Sequence, residues 1–263
     1  MTTWQLLASA WIWDPTVIFG CAALVGAYAW ATGFRITRQV LTFGSGVLVL
    51  LFALVSPLDV LGDTYLFSAH MLQHLLLIEV VPPLLILGLT RDLVTRVLRW
   101  KSLCALERFL TRPLLAWLLG IGTLWLWHVP SLYNLALMSD FIHVGQHLSF
   151  LITGTMFWWP VLGVYAPHRL SAPAALVYLM AAAMASTLLG ILLAYWPAFS
   201  YSPYQHPVDS LHILSLIRQG WGVTAGRDQE IGGLLMWFPG SVPYISCLLG
   251  MTFQWLDSAE TNV

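Results

Sequence analysis

The chain has 263 residues, of which 59% are hydrophobic and only 9% charged, with a mean hydropathy of +0.78. Soluble domains carry about 45–50% apolar and about 25% charged residues, so this composition excludes one and defines a polytopic membrane protein. A formal net charge of −1 supplies no basic field for nucleic acid, and Cys21, Cys104 and Cys247 lie too far apart to signal a disulfide framework or a thiolate metal motif.

A membrane helix needs about 20 apolar residues to cross about 30 Å of hydrocarbon. The sequence predicts seven such spans, at 16–33, 39–58, 66–89, 113–128, 141–162, 174–196 and 231–256. The fold class is therefore all-α, a seven-helix membrane bundle forming one integral-membrane domain over 1–263. The first apolar run lacks the basic leader and small-residue site of a cleavable signal, so it is expected to persist. Pro82 and Pro83 in the third span, and Pro239, Gly240 and Pro243 in the seventh, predict kinks or breaks, because proline removes a backbone donor. Between the last two spans, 197–228 reads as a long loop, with Ser210 capping a short interfacial helix over 211–219 that Gly220 ends.

Orientation follows from the basic residues, which concentrate on the cytoplasmic side of membrane proteins. Arg35, Arg38, Arg91, Arg96, Arg99, Lys101, Arg108, Arg112 and Arg169 fall on one side, and only Arg218 and Arg227 on the other. The N-terminus is thus expected outside and the C-terminus in the cytoplasm. On that topology seven of the eight histidines lie at or near the outer face, leaving His168 alone on the inner side. Asp59, Asp63, Asp140, Asp228 and Glu230 are expected on the outer side too.

The sharpest motif is His-x-x-Gln-His, which occurs at 70–74 in the third span and again at 143–147 in the fifth. Residues four apart share a helix face, about 6 Å apart along the axis, so two packed helices would aim His70, His74, His143 and His147 at one point. Neutral imidazole suits copper, zinc, iron or nickel. A single intramembrane histidine more often bonds a neighbouring helix, at about 0.6 kcal/mol, and that reading fits His128 or His212 alone. Four at matched depth each carry a desolvation cost, and a shared ion removes it. Haem competes, since helices commonly offer one axial histidine each, yet a 6 Å rise is too small for two macrocycles, and one haem would use only half the set. The spacing favours an ion.

Glu79 lies about 13 Å deeper than His70 on the opposite face, which predicts structural pairing or a place on a proton or water path. Gln73 and Gln146 sit where they would orient an imidazole through its second nitrogen, or make ordinary helix contacts. Met71 and Met236 offer soft thioethers, although methionine in apolar helices is usually filler. His206 and His212, in the loop, read as surface groups or as first receivers of metal from solvent.

Four blocks in order carry a resemblance. Ser56-Pro57-Leu58-Asp59 with Tyr65 to His74, Trp127-His128-Val129-Pro130 with Leu132-Tyr133, Phe157 to Gly163, and Asp228 to Gly233 with Met236-Trp237 together resemble the CtaG-type cytochrome c oxidase assembly factors, over roughly 40–240. The resemblance implies functional weight on Asp59, His70, His74, His128, His143, His147 and Asp228. It also implies copper as the metal, the oxidase core subunit as the partner during assembly, the bacterial inner membrane as the location, and no enzymatic activity. Two rival classes stand beside it: a b-type haem or quinone electron-transfer subunit, and a copper or proton transporter. For the latter only Glu79 and His168 hint at a path.

Overall fold

The computed structural model describes residues 2–164, 169–195 and 201–260, with side chains to residue 253; the predicted inner-side His168 lies outside the described residues. Its α-helices are α1 Thr3–Ser9, α2 Pro15–Thr32, α3 Arg38–Val55, α4 Pro57–Val60, α5 Phe67–Leu75, α6 Val81–Gly88, α7 Arg91–Val97, α8 Lys101–Leu110, α9 Pro113–Trp127, α10 Pro130–Leu137, α11 Asp140–Leu162, α12 Ala172–Tyr195 and α13 Ala225–Glu260. Local chemistry sets these limits. Asp14 caps α2 ahead of Pro15, Gly33 ends it in the left-handed conformation at φ 69°, and Thr37 caps α3.

Five helical segments are long and apolar enough to cross a membrane: Pro15–Thr32, Arg38–Val55, Phe67–Gly88, Ala172–Tyr195 and Ala225–Phe253. Two bent pairs, α8 with α9 at 64° and α10 with α11 at 118°, raise the number to seven if each is one span. The chain is an all-helical membrane protein with five to seven candidate spans, and no strand occurs among the described residues.

The third span is continuous in direction but changes pitch. Between α5 and α6 runs a π-helical turn, Leu76–Val80, just before Pro82 and Pro83. Pro82 cannot donate to the Ile78 carbonyl one turn back, and the indole N–H of Trp158 donates there instead, at 3.2 Å. Gly154 lets α11 come close enough, since a Cβ there would lie 3.0 Å from the Ile78 oxygen. The seventh span behaves differently from expectation, because α13 runs unbroken through Pro239 and Pro243. Between the two prolines the Ser241 hydroxyl donates to the Trp237 carbonyl at 2.6 Å, one turn back.

The largest helix pairing joins α12 to α13. It rests on small residues: a Cβ on Gly190 would sit 2.7 Å from the Trp237 nitrogen, and one on Gly233 would collide with Ala194. Gly232 likewise seats α13 against Phe67 and Met71 of α5. At the end of the bundle that carries the histidines, Leu6, Ala10, Tyr65, Leu66, Ile213 and Ile217 form a small apolar cluster tying the first helix, the 61–65 turn and the 201–224 connection together. Here the predicted helix over 211–219 is shorter than expected. A π-turn spans only Leu216–Gly220, and Asp209 rather than Ser210 accepts the backbone N–H groups of Ile213 and Leu214. A single carboxylate oxygen, Oδ1 of Asp209, four and five residues upstream, accepts from both donors at 2.8 and 3.2 Å.

Candidate metal centre

The three elements that meet at this end are α5, α11 and the C-terminus of α9. Asp228 on α13 starts α5 in the right place: its carboxylate accepts the backbone N–H groups of Phe67 at 2.7 Å and Ser68 at 3.1 Å, and the Ser68 hydroxyl at 2.5 Å. One carboxylate thus caps a helix it does not belong to, against the positive end of its dipole. Two residues further on, the period of 3.6 turns His70 and His74 inward, and on α11 it turns His143 and His147 toward them.

All four rings meet. Ring centroids are separated by 4.3 Å for His70 and His74, 4.2 Å for His143 and His147, 5.3 Å for His70 and His143, and 6.0 Å for His74 and His147. His128, immediately after α9, brings a fifth ring 5.3 Å from His74. His70 and His74 are 1% and 0% exposed, His128 4% and His147 8%. Ligand atoms of His70, His74 and His147 lie within 4.8 Å of one another, and so do those of Asp63, His70 and His143.

The nitrogens are short of partners. Both nitrogens of His74, Nε2 of His70 and Nε2 of His147 have no hydrogen-bond partner, while Nε2 of His143 has only Asp63 Oδ1 at 3.5 Å. Buried polar atoms left in this state are costly, about 1–3 kcal/mol each, so a group that satisfies several together is indicated by the donor set itself. His128 adds a sharper observation. Its Nδ1 is 2.6 Å from the Leu124 carbonyl, which can only accept, so Nδ1 carries the proton. Its Nε2 then faces the Met71 sulfur at 3.2 Å with a lone pair on each side. Two acceptors in contact call for a proton or a cation at that edge, and a thioether beside an imidazole suits a soft cation.

Aromatic groups close the site. The Tyr204 hydroxyl donates to the Gly62 carbonyl at 2.6 Å and pairs with that of Tyr133 at 2.8 Å, and Tyr201 donates to the His128 carbonyl at 2.8 Å. Phe67 packs on all three tyrosines, 4.7 Å from Tyr201 between centroids. Arg218 holds the Tyr204 carbonyl at 2.8 Å, fixing the connection over the rings. Sequence reasoning missed this cover: Tyr201 and Tyr204 stand outside any helical period, and Tyr133 entered only within a family pattern.

Access is lateral. A cavity of about 510 Å³ between α2, α3 and α11 is lined by Val17, Leu50, Asp63, Asp140, His143 and His147, and a second of about 540 Å³ beneath Trp11 and Thr64 also reaches Asp63, Asp140 and His143. Burial pushes the Asp63 carboxyl well above the ordinary carboxylate range, with Asp59 and Asp140 adding to the shift. Burial likewise raises Asp59, to about 6, against the Gln73 amide that lowers it.

Several predicted accessory residues do other work. Gln73 does not orient an imidazole: its amide donates to the Ala53 carbonyl at 2.9 Å and to Asp59 at 2.7 Å, locking α5 to α3 and α4. Gln146 is buried with neither side-chain atom partnered. Met236 packs in the apolar core with Phe67, Met71 and Phe150. Asp140, at the first turn of α11, is exposed at the cavity mouth. Glu79 sits in the π-turn and accepts the hydroxyl of Tyr244, which stacks on Trp158, so it is paired within the bundle. His206 and His212 are exposed.

The described residues thus form a helical membrane protein with a covered, carboxylate-fronted imidazole cluster at one end. The family model for the cytochrome c oxidase caa3 assembly factor, Caa3_CtaG, matches residues 23–258, and the chain belongs to that family. It is 24% identical to uncharacterized proteins of Mycobacterium bovis and Mycobacterium tuberculosis over 93% of its length, and similarly to one of Mycobacterium leprae. The chain spans 39% of the length of these relatives. No solved structure matches it.

Proposed function

We propose that the protein binds copper at the cluster of His70, His74, His128, His143 and His147 and delivers it to the core of cytochrome c oxidase during assembly. The observation that carries this reading is the set of buried imidazole nitrogens without partners, closed at one side by the Met71 thioether against His128. Histidine and thioether donors suit cuprous ion, whereas magnesium and calcium need oxygen cages. Copper is here cargo, and the residues hold and release it without bond-making on an organic substrate, which fits a non-catalytic assembly factor. The exposed Asp140 carboxylate sits at the mouth, where negative charge draws a cation inward.

The distribution of basic residues supports seven spans with the N-terminus outside and the histidine end facing the outer surface of a bacterial inner membrane. In that frame the basic segment of α7 and α8 faces the cytoplasm.

Metal content and the visible spectrum of detergent-purified protein test the reading together. Bound copper is expected in the wild type and its loss after joint replacement of His70, His74, His143 and His147. A Soret band with haem in stoichiometric amount, or copper unchanged in the fourfold variant, overturns it.

A further inference from the structure

The cluster is more finely divided than one copper site requires. Asp63 Oδ1 lies 3.6 Å from Nδ1 of His70 and 3.5 Å from Nε2 of His143, so these three atoms frame one position facing the cavity mouth. Asp63 is 33% exposed there and His143 14%, and both line the two cavities. Nε2 of His70, the other ring nitrogen, is buried without a partner, as are both nitrogens of His74 and Nε2 of His147. Those three residues frame a second position, deeper and adjacent to His128 and Met71. His70 belongs to both sets.

Resting on the copper reading, we infer that the cluster holds two cation seats sharing His70: an outer Asp63–His70–His143 seat for a divalent ion, and an inner His70–His74–His147 seat for cuprous ion. The donor chemistry separates them. The outer set includes a carboxylate oxygen, which suits borderline divalent ions, and the inner set offers nitrogen beside a thioether with no carboxylate, which suits a soft monovalent ion. A neutral imidazole has one lone pair on its ring nitrogens, so His70 serves one seat at a time. With the inner seat filled through Nε2, the Nδ1 proton points to the Gly62 carbonyl, 3.3 Å away. With the outer seat filled through Nδ1, the proton stands on Nε2, so exchange between seats changes the tautomer and leaves the proton count of the ring unaltered.

Titration of the purified full chain with Co2+, as the divalent probe, and separately with buffered Cu+ tests the division. Asp63→Asn is expected to weaken Co2+ by about tenfold or more and to leave Cu+ within about twofold, His74→Ala to do the reverse, and His70→Ala to weaken both. Asp63→Glu, which keeps the carboxylate, is expected to recover Co2+ binding, and so separates ligation from a folding defect. Parallel losses of both ions in Asp63→Asn and His74→Ala, or a wild type that takes Cu+ but no Co2+, overturns the two-seat division while the copper reading stands. A wild type that takes no Cu+ overturns the copper reading with it.

Discussion

Asp228 touches no imidazole yet decides where two of them point. Its three hydrogen bonds anchor the first turn of α5 across the gap from α13. Replacing it with alanine leaves buried donors bare and is expected to destabilise the protein by about 1–3 kcal/mol, read by thermal unfolding in detergent, with copper affinity falling in parallel. Asp59 makes a different prediction. Its carboxyl value in the folded chain, about 6, lies above the ordinary value, so the folded state holds the proton more tightly than the unfolded state. Burial of the ionised carboxylate therefore weakens the fold progressively as pH rises through about 6. Asp59→Asn in metal-free protein should raise the melting temperature at pH 7.5 and change it little at pH 3, where both states are largely protonated. At this scale the sequence was readable where a period governs. A repeat of four placed His70, His74, His143 and His147 on facing surfaces, but it could not reveal that Gln73 reaches Asp59 or that His128 meets Met71, because those partners are 14 and 57 residues away.

Helices were the most legible units, since hydrophobic length is a local property. Six of the seven predicted spans coincide with a described helix or, at Phe67–Gly88, with one span of two helices and a π-turn, to within a few residues at either end. The seventh starts six residues earlier, at Ala225, because Asp228 and Gln229 are buried by α5 and α12 rather than left in a loop. Prolines were read less well, because their effect depends on which neighbour replaces the lost donor. At Pro82 the replacement is Trp158, and Trp158→Phe is expected to cost about 1–3 kcal/mol by stranding the Ile78 carbonyl in an apolar setting. Gly190→Val tests the other helix contact: with the Trp237 backbone 2.7 Å from the new Cβ, α12 and α13 must separate, at about 1–3 kcal/mol in unfolding measurements.

For the molecule as a whole, the basic segment from Arg91 to Arg112 and the histidine cluster occupy opposite ends of the bundle in the proposed arrangement. In intact cells, a cysteine at the exposed position 206 should react with a membrane-impermeant maleimide, and one at the exposed position 101 should react only after the membrane is opened. The reverse pattern would invert the predicted orientation. The wide turn at 76–80 has a consequence at this same scale. It accommodates one residue more than regular pitch would, and a single residue advances a helix by about 100°. Excising one residue from that stretch would let it relax to regular pitch with Ile86 and Gly88 still facing their neighbours, whereas the same deletion within α5 or α6 would turn one half of the span against the other. The spare residue is a local buffer: the histidine-bearing half and the proline-bearing half of the span keep their separate seats in the bundle on either side of it.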